Sequence, residues 1–363
     1  MKDRSRGVPR ANKPKSSKAS TIKDVAEMAG VAPGTVSNVL TGRRAVAQDL
    51  RRRVLRAVEA LDYRPNQIAA SLRSQQSRSV GIVVPDLMNP FFGELLYHID
   101  QLAAASNFQT LLVGSNETEI REAERIQGLT ARRVDGLIIA PTRDGISEGA
   151  LPFIAGIPTV LVDRGFGFAG FDTITADSRE AGYRGARHLL ELGHRDIAIL
   201  VTSTELENIS DRAEGFYTAL AEAGAANRKQ VINGSWTIEG CRRALEPVLL
   251  KKNRPTAVFA LAYVATLGAV QAIRNVGLAF PEEISVLGFD DSEWMTALHP
   301  YVSTLRQPVK EISSLAWNQL SGRIAGNAGG PVRAKLPCTL EIRESTSPPP
   351  AIRSTPVARG GTS

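Results

Sequence analysis

Between residues 21 and 74, polar side chains that can donate and accept hydrogen bonds are interspersed with apolar residues at helical spacing. Two short helical patterns, TIKDVAEMAG and PGTVSNVL, are joined by a Gly-containing turn, and a third runs from about Gln48 to Leu61. Val36, Val39 and Leu40 predict the buried face of the second helix, which leaves the polar residues Thr35, Ser37 and Asn38 pointing outward. This layout is typical of a helix-turn-helix unit, whose second helix lies in the major groove of double-stranded DNA.

Helix start and stop signals support these elements. Thr21 stands three residues before Asp24, so its hydroxyl can cap free amides while the carboxylate faces the positive end of the first helix. Gly30 tolerates the left-handed backbone that ends a helix, and Pro33 suits the first position of the second helix.

The third helix combines an apolar face with a run of arginines. We expect its core face to consist of Leu50, Val54, Leu55, Val58 and Leu61. Its polar face would carry Arg51, Arg52, Arg53 and Arg56. The run alone leaves open whether these arginines are solvated or contact DNA.

Charge is divided unevenly along the chain. Residues 1–79 contain 17 Lys and Arg against 6 Asp and Glu, a net charge of +11, whereas the remainder carries 27 against 31, a net of −4. A basic segment on an acidic body indicates a polyanionic partner. Residues 1–20 have almost no apolar content and predict a disordered basic arm, and the Pro-, Ser- and Gly-rich residues 347–363 predict a disordered tail.

Residues 79–346 alternate apolar strand patterns with helical ones. SVGIVVPD, QTLLVGS, DGLIIAP and PTVLVDR form one series of buried strands, and IAILVT, PTAVFALA and ISVLGFD form a second. Helices are expected between them, as at 93–106, 212–224, 238–250 and 266–276. Two such series predict a two-lobed α/β body resembling periplasmic binding proteins, with a ligand at the carboxyl ends of the strands, between the lobes.

Several classes of protein are disfavoured. No run of eighteen apolar residues and no apolar secretory region are present, which argues against a membrane protein and against an exported sugar-binding protein with the same body fold. Cys241, Cys338 and the four histidines lack the spacing of a disulfide framework or a metal site. We therefore expect a cytoplasmic protein with free thiols, no metal and no cofactor.

Two motifs raise the alternative of a nucleotide-dependent enzyme. Gly165, Gly167 and Gly170 match G-x-G-x-x-G, but the following DTITAD predicts a strand where a dinucleotide site needs a helix. Ser147 in GISEG matches a nucleophile elbow, but it does not directly follow a strand, and no paired His and Asp is evident. We therefore predict no catalytic residues and no enzymatic function.

The chain resembles transcription regulators of the lactose/galactose repressor (LacI/GalR) family over roughly residues 20–346. The motifs that carry the resemblance occur in family order: TIKDVAEMAGV, TVSNVL, LDYRPN, GIVVPDLMNPFF, RRVDGLIIAP, VLVDR, HLLELGH, RAEGF, ISVLGFDD and TLEIREST. The resemblance implies an all-α helix-turn-helix domain at 21–64, a hinge helix and linker at 65–78, and an α/β two-lobed effector-binding and dimerisation domain at 79–346.

The resemblance also implies which residues contact DNA. They are Thr21, Pro33, Gly34, Thr35, Ser37, Asn38, Arg43, Asn66, Ile68, Leu72 and Arg73. Pro33 and Gly34 occupy base-reading positions without hydrogen-bonding side chains, so direct readout falls mainly on Asn38, which can pair with adenine. The alternative for Asn38 is a solvated polar residue.

The hinge is expected to deform the operator. Leu72 matches the leucine that family members wedge between two central base pairs, and Arg73 would lie beside the kink. The alternative is an ordinary apolar position. Two copies of the wedge imply a homodimer on a pseudo-palindromic DNA operator, with a tetramer possible.

The effector site implied by the resemblance lies between the lobes. Its residues are Asn89, Phe92, Asp163, Arg212, Trp236, Tyr263 and Asp290, with Arg212 opening the RAEGF helix. This set suits a small polar ligand such as a sugar or sugar acid, although packing or helix capping is an alternative for each residue. The family usually has Asn-Asp where this chain has Ala262 and Tyr263, so either the effector is not a simple hexose or its recognition is rebuilt around Tyr263.

Together these features predict a repressor that binds operator DNA and responds to a small-molecule effector. The effector, the regulated genes and the direction of the response are not predicted.

Overall fold

The structure is a computed structural model that describes residues 20–41, 45–63, 76–225 and 230–350. The chain divides into two compact units, Met1–Ser77 and Arg78–Ser363. Several predictions fall outside the described residues: those for the arm at 1–19, Arg43, the hinge residues Asn66, Ile68, Leu72 and Arg73, and the tail from 351 onward.

Within the described residues, the N-terminal unit consists of three helices. They are α1 (Ile22–Ala29), α2 (Pro33–Thr41) and α3 (Gln48–Ala60). Thr21 and Asp24 form the reciprocal capping box at the start of α1, and Gly30 ends that helix with a left-handed backbone at φ 61°. Both predicted signals are confirmed.

The three helices pack on a small apolar core of Val25, Ala26, Ala29, Val36, Val54 and Ala57. The predicted core position Leu55 is wrong: its side chain is 46% exposed, and Ala57, three residues after Val54, takes the buried place. Of the four arginines on α3, Arg53 donates from Nη2 to the carbonyl oxygen of Gly30 at 3.1 Å. This bond ties α3 to the end of α1, so Arg53 has a partner within the unit.

The second unit alternates strands and helices. The strands are β1 (Ser79–Val84), β2 (Gln109–Gly114), β3 (Gly136–Ile139), β4 (Thr159–Val162), β5 (Asp172–Ala176), β6 (Ile197–Val201), β7 (Gln230–Asn233), β8 (Ala257–Ala260), β9 (Ser285–Phe289), β10 (Ser303–Arg306), β11 (Arg333–Leu336) and β12 (Thr339–Glu341). The helices are α4 (Pro90–Ala105), α5 (Glu119–Ala131), α6 (Leu151–Ile154), α7 (Ser178–Glu191), α8 (Glu207–Glu222), α9 (Ile238–Leu249), α10 (Tyr263–Asn275) and α11 (Val309–Ile324), with a short 3₁₀ helix at Glu293–Thr296.

These strands form two six-stranded sheets, each at the centre of one lobe. The first lobe has the order β11-β5-β4-β3-β1-β2, and the second has β12-β10-β9-β8-β6-β7. All pairings are parallel except that of β10 with β12. The chain passes between the sheets after β5, after β10 and between β11 and β12, so the lobes are linked by several segments. The predicted two-lobed fold is confirmed.

Several details differ from the predictions. Strand β2 lies at a sheet edge and is only partly buried, so it is not a buried strand. Helices α4, α8 and α10 begin earlier than the predicted 93, 212 and 266. Neither α8 nor α10 has a local side-chain cap that could reveal its start, because their N-cap residues are Leu206 and Ala262.

Ser20, the last residue of the predicted disordered arm, and Ser347, the first residue of the predicted disordered tail, both form hydrogen bonds with the folded units. Ser20 donates from Oγ to the carbonyl oxygen of Leu61 at 2.9 Å. Ser347 donates its backbone N–H to Ser285 Oγ at 3.0 Å, and its carbonyl oxygen lies 2.8 Å from Nε2 of buried His194. The boundaries at 20 and 347 therefore need to move outward.

The loop carrying the glycine motif runs from β4 into strand β5 at Asp172, so no helix follows it. Cys241 and Cys338 are free and buried. In the portion of the chain that the structure describes, no helix is both long and apolar enough to cross a membrane.

Candidate DNA interface and ligand cleft

Helix α2 presents the predicted base-reading residues. Pro33 and Gly34 are exposed, Thr35, Ser37 and Asn38 are partly exposed, and Val36 is buried in the core. A Cβ added to Gly34 would meet no atom within 4 Å, so open space surrounds this position. Helix α2 therefore has one anchored face and one face available for contact.

Thr21 is already engaged within its own unit. Its Oγ1 donates to Asp24 Oδ2 at 2.9 Å and accepts from the Asp24 backbone N–H at 3.4 Å. The structure thus gives Thr21 a capping role beside the DNA contact predicted for it.

All seven predicted effector residues line one cavity of about 620 Å³ between the lobes of the second unit. They are Asn89, Phe92, Asp163, Arg212, Trp236, Tyr263 and Asp290. The cavity lies where strands β1, β4, β6 and β9 end, as expected for parallel sheets. The structure brings the predicted set together, and its role in binding a ligand stays a prediction.

Two aspartates occupy matching positions in the two lobes. Asp163 directly follows β4 and Asp290 directly follows β9, and both have left-handed backbones, at φ 66° and φ 65°. Aspartate tolerates this conformation better than most side chains do. The turn after each strand thereby holds a buried carboxylate at the cavity.

Arg212 is fixed by packing rather than by a helix start. It lies in the second turn of α8, so the prediction that it opens the helix is wrong. Its Nη1 donates to the carbonyl oxygen of Leu261 at 2.8 Å, and its guanidinium lies 3.5 Å from the centroid of the Phe289 ring. The first contact comes from the residue that follows β8 and the second from the last residue of β9, and together they hold Arg212 in place.

Helices α7 and α8 cross with their backbones in close approach at two glycines. A Cβ on Gly182 would overlap the carbonyl oxygen of Arg212, and one on Gly215 would overlap that of Arg179. Only glycine fits at this crossing, and the crossing places Arg212 at the cavity.

Burial governs the ionisation of the cavity's charged groups. Burial raises the pKa of Asp163 above its ordinary value, and the neighbouring guanidinium of Arg164 opposes that rise most strongly. Burial likewise raises the pKa of Asp290, against the influence of Arg212 and of a 2.6 Å hydrogen bond from Gln307. Burial lowers the pKa of Arg212. In each case burial disfavours the charged form, and the neighbouring opposite charges favour it.

The lining residues that were not predicted include Arg164, Thr202, Asn208 and Gln307. Each of these four has a buried polar side-chain atom without a hydrogen-bond partner among the described residues, namely Arg164 Nε, Thr202 Oγ1, Asn208 Oδ1 and Gln307 Oε1. Asn208 precedes Arg212 by four positions on α8, a helical spacing that could have identified it. Gln307 follows β10, a strand that was not predicted, so no sequence signal pointed to it.

The remaining predicted residues differ in how strongly they are held. Asn89 caps α4 by accepting the Phe91 N–H at 3.0 Å, which realises the capping alternative for this residue. Trp236 is 40% exposed, and its ring centroid lies 5.9 Å from the guanidinium carbon of Arg164 in the other lobe. Tyr263 is the first residue of α10, and burial raises its pKa.

A helix-turn-helix unit followed by a two-lobed body with a polar cleft defines the class of ligand-responsive transcription regulators. The family model for bacterial regulatory proteins of the lacI family matches residues 21–66. The model for periplasmic binding proteins and the sugar binding domain of the LacI family matches residues 77–328. The chain belongs to the LacI family of DNA-binding transcriptional regulators, which confirms the resemblance.

Relatives and solved structures cover nearly the whole chain. The ribose operon repressor of Haemophilus influenzae is 31% identical over 326 residues, 90% of this chain and 98% of that protein. The transcriptional repressor PurR of Erwinia tasmaniensis is 32% identical over 335 residues, 91% of this chain and 98% of that protein. The lac repressor dimer bound to operator and the anti-inducer ONPF has a TM-score of 0.80 at 26% identity, covering 91% of this chain and all of that one. The complex of the regulator CelR with cellobiose has a TM-score of 0.67 at 26% identity, covering 90% and 99%.

Proposed function

We propose that this protein represses transcription by binding a pseudo-palindromic operator as a homodimer, and that a small polar effector in the cleft controls this binding. The observation that carries the proposal is the convergence of the seven predicted effector residues on one cavity, in a chain that also holds a helix-turn-helix unit. Relatives that match this chain over nearly their whole length include repressors, and one similar structure is a dimer on its operator.

On DNA, α2 lies in the major groove and Asn38 reads a base in each half-site. The hinge at 65–78 would place Leu72 between central base pairs, with Arg73 beside the kink. Together with Asn66, Ile68 and Arg43, these residues complete the proposed interface. The basic charge before residue 80 supplies contacts to phosphates that do not depend on sequence.

An effector that contacts both lobes of the cleft binds more tightly to one interlobe conformation than to another. By favouring that conformation, the effector changes the affinity of the protein for its operator. Asp163 and Phe92 from the first lobe and Arg212 and Asp290 from the second are the proposed contacts. The proposal assigns binding rather than catalysis to this cleft, and places the protein in the cytoplasm with DNA.

The experiment is selection of bound sequences from random duplex DNA by the full-length chain, followed by binding titrations at several salt concentrations. We expect an enriched motif with two-fold symmetry and an affinity that falls steeply with salt. A chain beginning at Arg78 is the control and should retain no affinity for the motif. Enrichment of no sequence, or equal binding by the truncated chain, would refute the proposal.

A further inference from the structure

A short segment at the start of α8, in the second lobe, contacts two loops of the first lobe. The backbone N–H of Glu207 donates to Asp144 Oδ1 at 2.7 Å, and the carboxylate of Glu207 accepts from the N–H of Gly167 at 3.3 Å. Beside them, Arg143 Nη1 lies 3.1 Å from Glu205 Oε2. The contacts therefore join the loop after β3 and the loop after β4 to the other lobe.

The loop after β3 is held firmly within the first lobe. The buried carboxylate of Glu122 accepts from the N–H of Thr142 at 2.6 Å and from that of Ser147 at 2.9 Å, which fixes the loop at both ends. A Cβ on Gly145 would overlap the ring of Phe168, so the loop after β4 packs directly against this one. The first lobe thus presents two packed loops as one platform.

The segment that meets this platform is anchored in the second lobe. Leu206 is 1% exposed and belongs to the apolar core of that lobe. As the N-cap residue of α8 it offers no side-chain acceptor, and the free amide of Glu207 is paired by Asp144 instead. Because both sides are anchored in their own lobes, a change in the interlobe angle must strain or break these contacts.

The contacts differ in strength. A carboxylate that accepts from an amide at the positive end of a helix, as Asp144 does, belongs to the stronger class of hydrogen bonds. The side chains of Arg143 and Glu205 are 52% and 75% exposed, so water and salt screen their ion pair. We therefore expect Asp144 to contribute most of the interaction.

The contacts lie away from the segments that link the lobes. The chain crosses after β5, after β10 and between β11 and β12, and these are the two outermost strands at one edge of each sheet. Counted from that edge, β3 is the fourth strand of its sheet and β6, which precedes α8, is the fifth strand of its own. In a rotation about the crossing segments, displacement grows with distance from them, so contacts here oppose the rotation effectively.

We infer that the contacts of Arg143, Asp144 and Gly167 with the start of α8 form an interlobe latch, which favours one angle between the lobes over others. The latch is a conformational device in addition to the helix cap that Asp144 provides. A cap alone would stabilise the first turn of α8 and leave the interlobe angle free, whereas a latch restricts that angle.

The latch segment also lines the cleft. Leu206 and Asn208, on either side of Glu207, are lining residues of the cavity. The latch therefore contributes to the free-energy difference between interlobe conformations that an effector has to shift. This regulatory part of the inference rests on the proposed function and deepens it.

The test measures the distance between the lobes in the ligand-free, full-length protein. Spin labels are placed on Glu124→Cys and Thr218→Cys, at exposed positions of α5 in the first lobe and α8 in the second, and their separation is measured by double electron–electron resonance. Excess unlabelled protein ensures that the distance within one chain is observed in a dimer. Cys241 and Cys338 are buried, and protein without the introduced cysteines checks that they stay unlabelled.

We expect a narrow distance distribution in the parent and a broader one in Asp144→Ala. Asp144→Asn keeps an acceptor oxygen and should lie between the two. Glu207→Ala, which removes the contact with Gly167 but keeps the amide, is the second variant and should also broaden the distribution. Glu148→Gln, an exposed position just after the loop, is the control and should not. Distributions that stay as narrow as that of the parent in both Asp144→Ala and Glu207→Ala would overturn the latch.

The regulatory part has its own readout. The operator affinity of ligand-free Asp144→Ala should differ severalfold from that of the parent, because the populations of the interlobe conformations differ. A broadened distance distribution with unchanged operator affinity would overturn this part. If no operator is selected at all, the proposed function fails, and the distance measurement still decides whether the latch exists.

Discussion

Asn38 is the side chain through which the first unit is expected to distinguish one base from another. It is partly exposed on α2, while Pro33 and Gly34, at the other implied base-reading positions, offer no side-chain hydrogen bond. Asn38→Ala should relax the preference at one base pair in each half-site, at about 1–3 kcal/mol for the preferred base. Titrations against every single-base variant of the selected operator would measure this. Glu59→Ala, at an exposed position of α3 that is not among the implied DNA contacts, is the control. A uniform loss across all operator positions would mean that Asn38 contacts the backbone instead.

Asp290 is expected to affect the stability of the folded protein through the ionisation of its carboxyl group. Because burial raises its pKa in the folded protein, folding binds the proton more tightly than the unfolded chain does. The ionised carboxylate therefore destabilises the ligand-free protein, and stability falls as pH rises from the unfolded pKa of about 3.9 towards the higher folded value. Above the pKa of Asp290 in the folded protein, the decrease in stability is complete.

Asp290→Asn should accordingly raise the free energy of unfolding of the ligand-free protein at neutral pH. The advantage should shrink as the pH is lowered through the folded pKa of Asp290. Urea unfolding across this range measures it, with Glu148→Gln as the control for removing a surface charge. A variant that is less stable than the parent at neutral pH would contradict the assigned cost of this carboxylate.

At the scale of elements, the start of α8 is completed by the other lobe. Its N-cap residue, Leu206, has no acceptor side chain, and the Glu207 N–H donates to Asp144 Oδ1 in the first lobe at 2.7 Å. The Gly167 N–H donates to Glu207 Oε2 at 3.3 Å, and Arg143 pairs with Glu205 at 3.1 Å. The helix that carries Asn208 and Arg212 is thus capped across the cleft.

Removing this cap should loosen the first turn of α8, and Asp144 itself does not line the cavity. Asp144→Ala should lower stability by about 1 kcal/mol, as the loss of other helix caps does. Hydrogen exchange at residues 207–210 should become faster in the variant. Glu148→Ala, in the same loop, is the matched control. Unchanged exchange at 207–210 would show that the first lobe does not hold this helix end.

At the scale of the whole molecule, the sequence predicted the features that depend on local pattern. The series of buried strands predicted a cleft at their carboxyl ends, because parallel strands end on one edge of their sheet, and the family resemblance implied that Asp163 and Asp290 lie there. The capping box at Thr21 was likewise visible as a spacing of three residues.

Features that depend on tertiary contact were not predictable in this way. Helix α8 begins five residues before Arg212 because a carboxylate from the other lobe satisfies its first amide. Gln307 reaches Asp290 from the end of an unpredicted strand. No periodicity in the sequence identified Arg164, because its position depends on an ion pair with Glu117, which is distant in the chain.

The central claim is that occupancy of the cleft changes affinity for DNA, and the most direct measurement is operator binding with and without ligand in the parent and in Arg212→Ala. The ligand is the compound that gives the largest thermal shift. If Arg212→Ala does not fold, Arg212→Lys takes its place in the measurement. The control is Arg243→Ala, which removes an exposed arginine on α9.

We expect the ligand to change the operator affinity of the parent and of Arg243→Ala. In Arg212→Ala, operator binding without ligand should persist while the response is lost. A ligand response in Arg212→Ala equal to that of the parent would contradict the account.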